Sequence, residues 1–176
     1  MDGQKITSLI KQAKKGSADA FGEIYSLYAK DLYRFALYNL KNTFDAEDAV
    51  QNAAIIAFTK IGSLKKDESF KSWFFKILYN ECLKISTAKS RVSEVPSENV
   101  AFFGDEQVTL PDETGVLALL DKLSEEEKSI IILSVFNEYN SKEIASILSM
   151  NPSTVRSSLS RLLKKLRLQL EGEENE

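Results

Sequence analysis

The sequence predicts an all-α protein with two helical domains joined by a flexible acidic linker. The 176-residue chain contains only 3 prolines and 7 glycines, the residues that most often interrupt helices. Apolar residues recur at helical spacing in the N-terminal half and again in the C-terminal third. Residues 91–112 lie between these regions and contain two prolines, a glycine and several acids without a sustained period, which is typical of a linker.

The N-terminal domain, residues 1–90, is predicted to contain four helices. The spacing of apolar positions places them at about residues 6–16, 17–40, 45–62 and 70–86. Gly16 and Gly62 end two of these segments, and Asn42 with Thr43 interrupts the pattern between the second and the third. Because the connections between successive helices are short, we expect one compact bundle.

The C-terminal domain, residues 113–170, contains two helix starts with the same signature. Glu127 follows Ser124 by three residues, and Glu143 follows Asn140 by three residues, as in a capping box. Each signature precedes an apolar run at helical spacing. The sequence therefore predicts that two successive helices begin at these caps.

The last predicted helix has two different sides. It follows a turn at residues 149–151, with Asn151 as its cap and Pro152 at its first position. One side is apolar, with Val155, Leu159, Leu162, Leu163, Leu166 and Leu170. The other side carries hydroxyl and basic side chains, namely Ser153, Thr154, Arg156, Ser157, Ser160, Arg161 and Lys164.

This arrangement fits a helix-turn-helix whose second helix enters a DNA major groove. Hydroxyls and backbone amides at a helix start bind phosphate, and arginines reach guanine edges. The alternative is an ordinary helical hairpin with a solvated polar side. Ser149 favours that alternative slightly, because turns of this kind often place glycine there.

The charge of the chain is divided by segment. Its net charge of −3 conceals a balance of +5 in residues 1–91, −9 in residues 92–140 and +1 in residues 141–176. Most acids of the last segment lie in a tail, residues 171–176. Two basic ends flank an acidic middle, so the ends are the regions that we expect to approach a phosphate backbone.

The composition argues against an enzyme and against a metal or cofactor site. The chain contains no histidine, which excludes histidine bases, catalytic triads that use histidine and histidine metal ligands. Its one cysteine, Cys82, cannot form a disulfide framework or a zinc site, and it suits a reducing cytoplasm. We expect no membrane insertion, because no run of eighteen apolar residues occurs, and no signal peptide at the N-terminus.

Several stretches together resemble one family. These are DLYRFALYNLKNTFDAEDAVQ, FKSWFFKILYNECLK, LDKLSEEEK and STVRSSLSRLLKKLR, in this order. They are similar to bacterial RNA polymerase sigma factors of the extracytoplasmic-function group, which keep sigma regions 2 and 4. The resemblance implies a cytoplasmic protein, associated with the nucleoid when bound to polymerase, that binds core RNA polymerase and promoter DNA. It also implies an anti-sigma factor as a partner.

The resemblance assigns roles to residues of this chain. Asp45, Asp48 and Gln51 match the DAED-x-x-Q motif and would dock on the coiled-coil clamp of the polymerase largest subunit. Residues that would contact the promoter minus-ten element are Lys65, Lys66, Ser69, Asn80, Lys84, Lys89 and Arg91. The polar side of the last helix would contact the minus-thirty-five element, and Trp73 is expected to pack in the core.

Three positions depart from the family pattern. Asn52 and Ala54 replace an acid and an aromatic residue, and Ser158 stands where a basic residue is common. Two alternatives stay open, and the departures at Asn52 and Ala54 favour the second of them. One is a helix-turn-helix regulator that acts without polymerase, and the other is a degenerate sigma-like protein that binds partners but not DNA.

Overall fold

The computed structural model of the protein describes residues 3–93, 120 and 122–173, with side chains as far as residues 90 and 168 in the two longer stretches. Every regular element among these residues is helical, which confirms the predicted fold class. Backbone contacts divide the chain into two units, Met1–Glu106 and Gln107–Glu176. Most of the predicted linker, residues 113–119 of the predicted C-terminal domain and the end of the acidic tail lie outside the described residues.

The first unit contains four helices and two short 3-10 turns. The helices are α1 (Gly3–Lys14), α2 (Ala18–Leu40), α3 (Thr43–Lys60) and α4 (Phe70–Ser93), and the turns are Ile61–Ser63 and Asp67–Ser69. The Ser17 side chain caps α2 by accepting a hydrogen bond from the backbone N–H of Ala20 at 3.2 Å. Asn42 caps α3, because its side-chain oxygen accepts from the backbone N–H of Asp45 at 2.9 Å. Since α4 continues to Ser93, the start of the predicted linker is helical.

Aromatic side chains from α2 and α4 form the centre of the first core. Phe35, Phe70, Phe74 and Phe75 are fully buried, and the rings of Phe35 and Phe75 meet edge to face with centroids 5.9 Å apart. The ring of Tyr28 lies 6.0 Å from that of Phe70, and burial raises the pKa of the Tyr28 hydroxyl. The first core is therefore built mainly from large rings that hold α2 against α4.

The inner side of α3 is made of small residues. Its buried positions include Ala46, Ala49, Ala53 and Ala57, which recur at steps of three and four residues. Side chains of this size let α3 approach α2 and α4 closely. Val50, 5% exposed, is the one larger side chain among the buried positions of α3, while Phe44 and Ile55 are exposed.

The second unit contains three described helices, α5 (Glu125–Ile131), α6 (Ser141–Leu148) and α7 (Pro152–Glu173), with a π-helical turn, Ile132–Phe136, directly after α5. Both predicted capping boxes are present. The backbone N–H of Glu127 donates to the Ser124 hydroxyl at 3.2 Å, and that of Glu143 donates to the Asn140 side chain at 3.1 Å. Asn140 returns a backbone hydrogen bond to the Glu143 carboxylate at 2.9 Å.

A run of consecutive apolar residues forms the centre of the second core. Ile130, Ile131, Ile132 and Leu133 are all fully buried, so α5 and its π-helical turn are covered on every side at this point. From α7, Val155, Leu162 and Leu166 pack inward. Leu163, which the sequence placed on the same side, is 43% exposed instead. The apolar side of α7 is therefore narrower than predicted.

Candidate protein-binding and DNA-binding surfaces

The outer side of α3 carries a mixed apolar and polar surface. Asp48 and Gln51, two of the three residues assigned to polymerase docking, are exposed. Phe44 and Ile55, 63% and 65% exposed, lie in phase with them, since steps of four, three and four residues keep one side of a helix. These four residues are called the α3 face. It extends about 16 Å along the helix axis at 1.5 Å per residue.

Sequence analysis missed Phe44 and Ile55. Apolar residues are assigned to a core by default, and both occur in a helix rich in such residues. The signal that identifies them is the alanine stripe on the opposite side of α3. Because the buried side of α3 is formed by these alanines and Val50, Phe44 and Ile55 lie on the side away from the core of their own unit.

Asp45 and Asp48 occupy different environments although the same motif contains both. Asp45 is half-buried in the first turn of α3, and its Oδ2 lies 2.6 Å from Nζ of Lys89 on α4. Asp48 is exposed, and its Oδ2 accepts a hydrogen bond from the Asn52 side chain at 3.1 Å. Asn52, a departure from the family pattern, therefore holds the carboxylate of Asp48 on the α3 face.

An open groove of about 670 Å³ lies between α3 and α4. Its lining consists of Ile56, Lys60, Trp73, Lys76, Ile77, Asn80, Glu81 and Lys84, and it is called the α3–α4 groove. Asn80 and Lys84 are both exposed and lie one turn apart on α4. Lys84 Nζ lies 2.6 Å from Oε1 of the buried Glu81. The groove is therefore basic on balance, and Ile56, Trp73 and Ile77 supply its apolar lining.

Trp73 contributes to this groove as well as to packing. Its ring lies 5.9 Å from the ring of Phe70, but the residue is only half-buried. One part of the Trp73 side chain thus packs against Phe70, as expected for a core residue, and another part lines the groove. Lys60 and Lys76, which sequence analysis did not select, add positive charge to the same groove.

The other residues assigned to the minus-ten element lie elsewhere in the first unit. Lys65 and Lys66 are exposed on the loop before α4, and Ser69 is half-buried at the end of that loop. Lys89 lies on the same side of α4 as the buried residues Leu78 and Cys82. Its ammonium therefore pairs with Asp45 on α3 and does not line the groove. Arg91 belongs to α4, and its side chain lies outside the described residues.

The predicted DNA-contacting residues of α7 all lie on its surface. Ser153, Thr154, Arg156, Ser157, Ser160, Arg161 and Lys164 are each exposed. Asn151 orders the start of the helix, because its Oδ1 accepts from the backbone N–H and the hydroxyl of Ser153 at 2.9 and 2.7 Å. These seven side chains are called the α7 face.

One residue of the α7 face is paired with another helix. Arg161 Nη2 lies 3.2 Å from Glu127 Oε1 on α5. Glu127 uses its other carboxylate oxygen in the capping box with Ser124. Arg161 remains 69% exposed in its side chain, so the guanidinium is both paired and accessible.

The turn between α6 and α7 has the geometry of a helix-turn-helix although it lacks glycine. Ser149 adopts a left-handed conformation with φ 59° and ψ 39°. Its backbone N–H and that of Met150 both donate to the carbonyl of Ala145. Ala145 is 3% exposed and lies where α6 packs against α7. Ser149 thus supplies the helix end that a glycine would supply at lower cost.

No group of three or more His, Cys, Asp or Glu side chains within the part of the chain that the structure describes could hold a metal ion. Within the same part, no helix has both the length and the apolar character needed to cross a membrane.

A helical unit with an exposed mixed face and a basic groove, in one chain with a helix-turn-helix unit, defines a multi-surface DNA-binding protein. Comparison with known families makes this class specific. The family model for Sigma-70 region 2 matches residues 24–92, and that for Sigma-70 region 4 matches residues 114–166.

Individual relatives agree with the family models. RNA polymerase sigma factor SigV of Bacillus subtilis (strain 168) is 32% identical over 84% of this chain and 89% of its own length. ECF RNA polymerase sigma factor SigW of the same strain is 28% identical over 94% of this chain and 96% of its own. The chain therefore belongs to the sigma-70 family of RNA polymerase sigma factors, within the extracytoplasmic-function group.

Solved structures share the fold. Sigma factor RpoE from Bartonella quintana, in a complex with the anti-sigma factor NepR, matches with a TM-score of 0.69 and 26% identity. That match covers 86% of this chain and 96% of RpoE. CnrH, in a complex with the cytosolic domain of CnrY, matches with a TM-score of 0.74 at 20% identity over 96% of this chain and 98% of CnrH, and it supports the fold alone.

Proposed function

We propose that this sigma factor binds core RNA polymerase through the α3 face and promoter DNA through two further surfaces of the chain. The α3–α4 groove and the loop before α4 take the minus-ten element, and the α7 face takes the minus-thirty-five element. One observation carries the proposal. The side chains of the α3 face and the α7 face are exposed, while other residues of the same helices supply the packing.

The α3 face combines the two properties that a specific protein interface needs. Phe44 and Ile55 offer large apolar side chains at its two ends, and such anchors supply most of the binding energy at interfaces. Asp48 adds a negative charge between them, which attracts a basic partner and speeds association. A helical coiled-coil clamp with basic and apolar side chains fits this surface.

The α3–α4 groove suits an unstacked base with its neighbouring phosphates. The Asn80 side chain offers both a donor and an acceptor for a base edge. Trp73 gives an aromatic wall, and Lys60, Lys76 and Lys84 surround the groove with positive charge. Binding of single-stranded DNA uses this combination of aromatic surface and cations.

The α7 face suits duplex DNA in the major groove. Ser153, Thr154 and Ser157 lie at the helix start, where hydroxyls and amides bind phosphate oxygens. Arg156 and Arg161 lie on the following turns, within reach of base edges. The helix-turn-helix places this side of α7 outward from its own unit.

The proposal extends to a partner and a place of action. RpoE is bound to an anti-sigma factor in its solved complex, and we propose that an anti-sigma factor also binds this chain. The protein acts in the cytoplasm and joins the nucleoid when polymerase carries it to promoters. It contributes binding surfaces and no reaction of its own, as expected for non-enzymatic regulators of this family.

The test is reconstitution of the full-length chain with its cognate core polymerase and a matching promoter. A specific transcript that requires this chain supports the proposal, and its absence overturns the proposal. Gel shifts with and without core enzyme separate this function from that of a regulator that binds duplex DNA alone. Asp48→Ala should weaken core association at low salt, whereas Asn80→Ala should leave core association intact and reduce promoter opening.

A further inference from the structure

Helix α1 lies outside the family match, which begins at residue 24, but it contacts the loop before α4. Its inner side is anchored in the first core by Leu9, Ile10 and Ala13, which are 6%, 1% and 1% exposed. One turn beyond Ile10, Lys14 reaches that loop from the end of α1. Helix α1 is thus held in the first unit by buried side chains, and Lys14 at its end contacts the loop that carries Lys65 and Lys66.

Lys14 makes two close contacts with the loop. Its Nζ donates to the backbone carbonyl of Leu64 at 2.8 Å and to the Asp67 carboxylate at 2.6 Å. The side chains of Lys14 and Asp67 are only 24% and 16% exposed, so water competes weakly for this ion pair. The two acceptors lie immediately before and immediately after the exposed pair Lys65 and Lys66.

We infer that Lys14 is a positioning residue for promoter binding, which fixes the loop so that Lys65 and Lys66 face the minus-ten DNA. The inference rests on the proposed function, because it requires that these two lysines contact the promoter. It adds a role for α1 and for the contacts that span 50 and 53 residues of sequence.

Two physical effects support this role. A loop that is already ordered loses less conformational freedom when it binds, so more of the contact energy appears as affinity. The Lys14 ammonium also neutralises the Asp67 carboxylate, which lies next to Lys66 in sequence. Without that neutralisation, the carboxylate would attract the neighbouring lysines and repel the DNA phosphates.

The first experiment compares Lys14→Met with Lys11→Met in full-length protein bound to core polymerase. Methionine keeps much of the apolar stem of lysine and removes the ammonium, and Lys11 is an exposed lysine on the same helix. Open-complex formation is followed by permanganate reactivity of the minus-ten thymines. We expect a loss of about three- to tenfold for Lys14→Met and none for Lys11→Met.

Core affinity and thermal unfolding separate positioning from a general structural role. Lys14→Met should leave core affinity unchanged, and Lys14→Arg should restore most of the opening activity because it retains the charge. Asp67→Asn should lose less opening activity than Lys14→Met, because Lys14 keeps its bond to the Leu64 carbonyl and no unpaired carboxylate is left beside the loop lysines. If Lys14→Met lowers core affinity and promoter opening by the same factor, the positioning role is overturned.

The second experiment repeats Lys14→Met in a Lys65→Ala, Lys66→Ala background. Lys14→Met should have no further effect there, since the side chains that it positions are absent. A second loss of the same size would overturn the inference and leave the proposed role of the loop standing. If the Lys65→Ala, Lys66→Ala chain opens promoters normally, the proposed role of the loop fails, and this inference fails with it.

Discussion

Lys89 Nζ lies 2.6 Å from Asp45 Oδ2, and this ion pair joins the first turn of α3 to the last part of α4. Asp45 also stabilises the positive end of the α3 dipole. We therefore expect Asp45→Ala to lower the free energy of unfolding by about 1 kcal/mol, measured by urea denaturation. The Asp45→Ala protein should lose much less affinity for core polymerase than the Asp48→Ala protein.

Lys89→Met provides the second half of this test. If the pair acts as a unit, the double variant should be less destabilised than the sum of the two single variants. Asp45 would instead be a direct polymerase contact if Asp45→Ala and Asp48→Ala lowered core affinity equally while Asp45→Ala left stability unchanged.

Salt should distinguish the two kinds of side chain on the α3 face. Asp48→Ala removes a charge, so its effect on core affinity should fade as ionic strength rises. The Debye length, over which charges interact, falls to about 3 Å at 1 M salt. Phe44→Ala and Ile55→Ala should each weaken core binding by about 1–2 kcal/mol at all salt concentrations, because they remove apolar anchors. Fluorescence anisotropy of labelled protein with core polymerase measures both effects.

Leu27 offers a matched control for the apolar variants. It is a large apolar residue on α2 with 39% exposure. Leu27→Ala should therefore leave core affinity unchanged. A loss equal to that of Phe44→Ala would show that exposed apolar area in general, rather than the α3 face, governs binding.

Glu127 Oε1 lies 3.2 Å from Arg161 Nη2, so Glu127 should compete with DNA for Arg161 if the α7 face binds the minus-thirty-five element as proposed. Glu127→Gln retains a side chain suited to the capping box and removes the charge that holds the guanidinium. We expect this variant to tighten binding of the minus-thirty-five duplex by holoenzyme about two- to threefold, since a surface ion pair no longer has to break. Glu127→Ala removes the side chain that accepts from the Ser124 backbone N–H, so this variant should lower the free energy of unfolding by about 1 kcal/mol.

Filter binding or anisotropy at several salt concentrations gives the affinity of the Glu127→Gln holoenzyme. Weaker binding by this variant would contradict competition. It would mean that the carboxylate orients Arg161 for its DNA contact.

Arg156 is exposed near the start of α7, and its loss should reveal which part of the DNA it contacts. If it makes a bidentate contact with a base, Arg156→Ala should cost about 1–3 kcal/mol on the preferred promoter and much less on promoters changed at that base. Uniform loss across promoters would assign Arg156 to a phosphate. Lys122→Ala, which changes an exposed lysine outside α7, is the control.

Ser149 should be a weak point of the helix-turn-helix, because a residue other than glycine holds a left-handed conformation there. Ser149→Gly should raise the free energy of unfolding of the second unit by about 0.5–1 kcal/mol, after the extra flexibility of glycine in the unfolded chain is subtracted. Ser149→Ala keeps the same backbone cost and should bring no gain. Equal stability of the glycine variant and the native protein in urea denaturation would show that the turn is unstrained.

Local signals in the sequence predicted the helices and their starts well. The caps at Ser124 and Asn140 depend on residues three positions apart, so their spacing alone identifies them. The Arg161–Glu127 contact spans 34 residues and the Lys14–Asp67 contact spans 53. No periodicity connects residues so distant, and their pairing depends on how the helices pack.

The same limit explains why Leu163 was misplaced and why Phe44 and Ile55 were not selected. Helical phase puts Leu163 beside Leu162 and Leu166, but the width of the buried side depends on the helices that cover it. Phe44 and Ile55 would fit a core by composition alone. Only the packing of the α3 alanines shows that the core lies on the other side.

On α7, the side chains that face outward are separate from Val155, Leu162 and Leu166, which hold the helix in place. Exchanges at exposed positions of this kind usually change stability by less than about 0.5 kcal/mol. If the α7 face reads the promoter as proposed, a duplicated copy would acquire a new promoter preference by exchanges there while its scaffold stays folded. Sister proteins built on this plan would then divide the genes of one cell among themselves by altering a few surface residues.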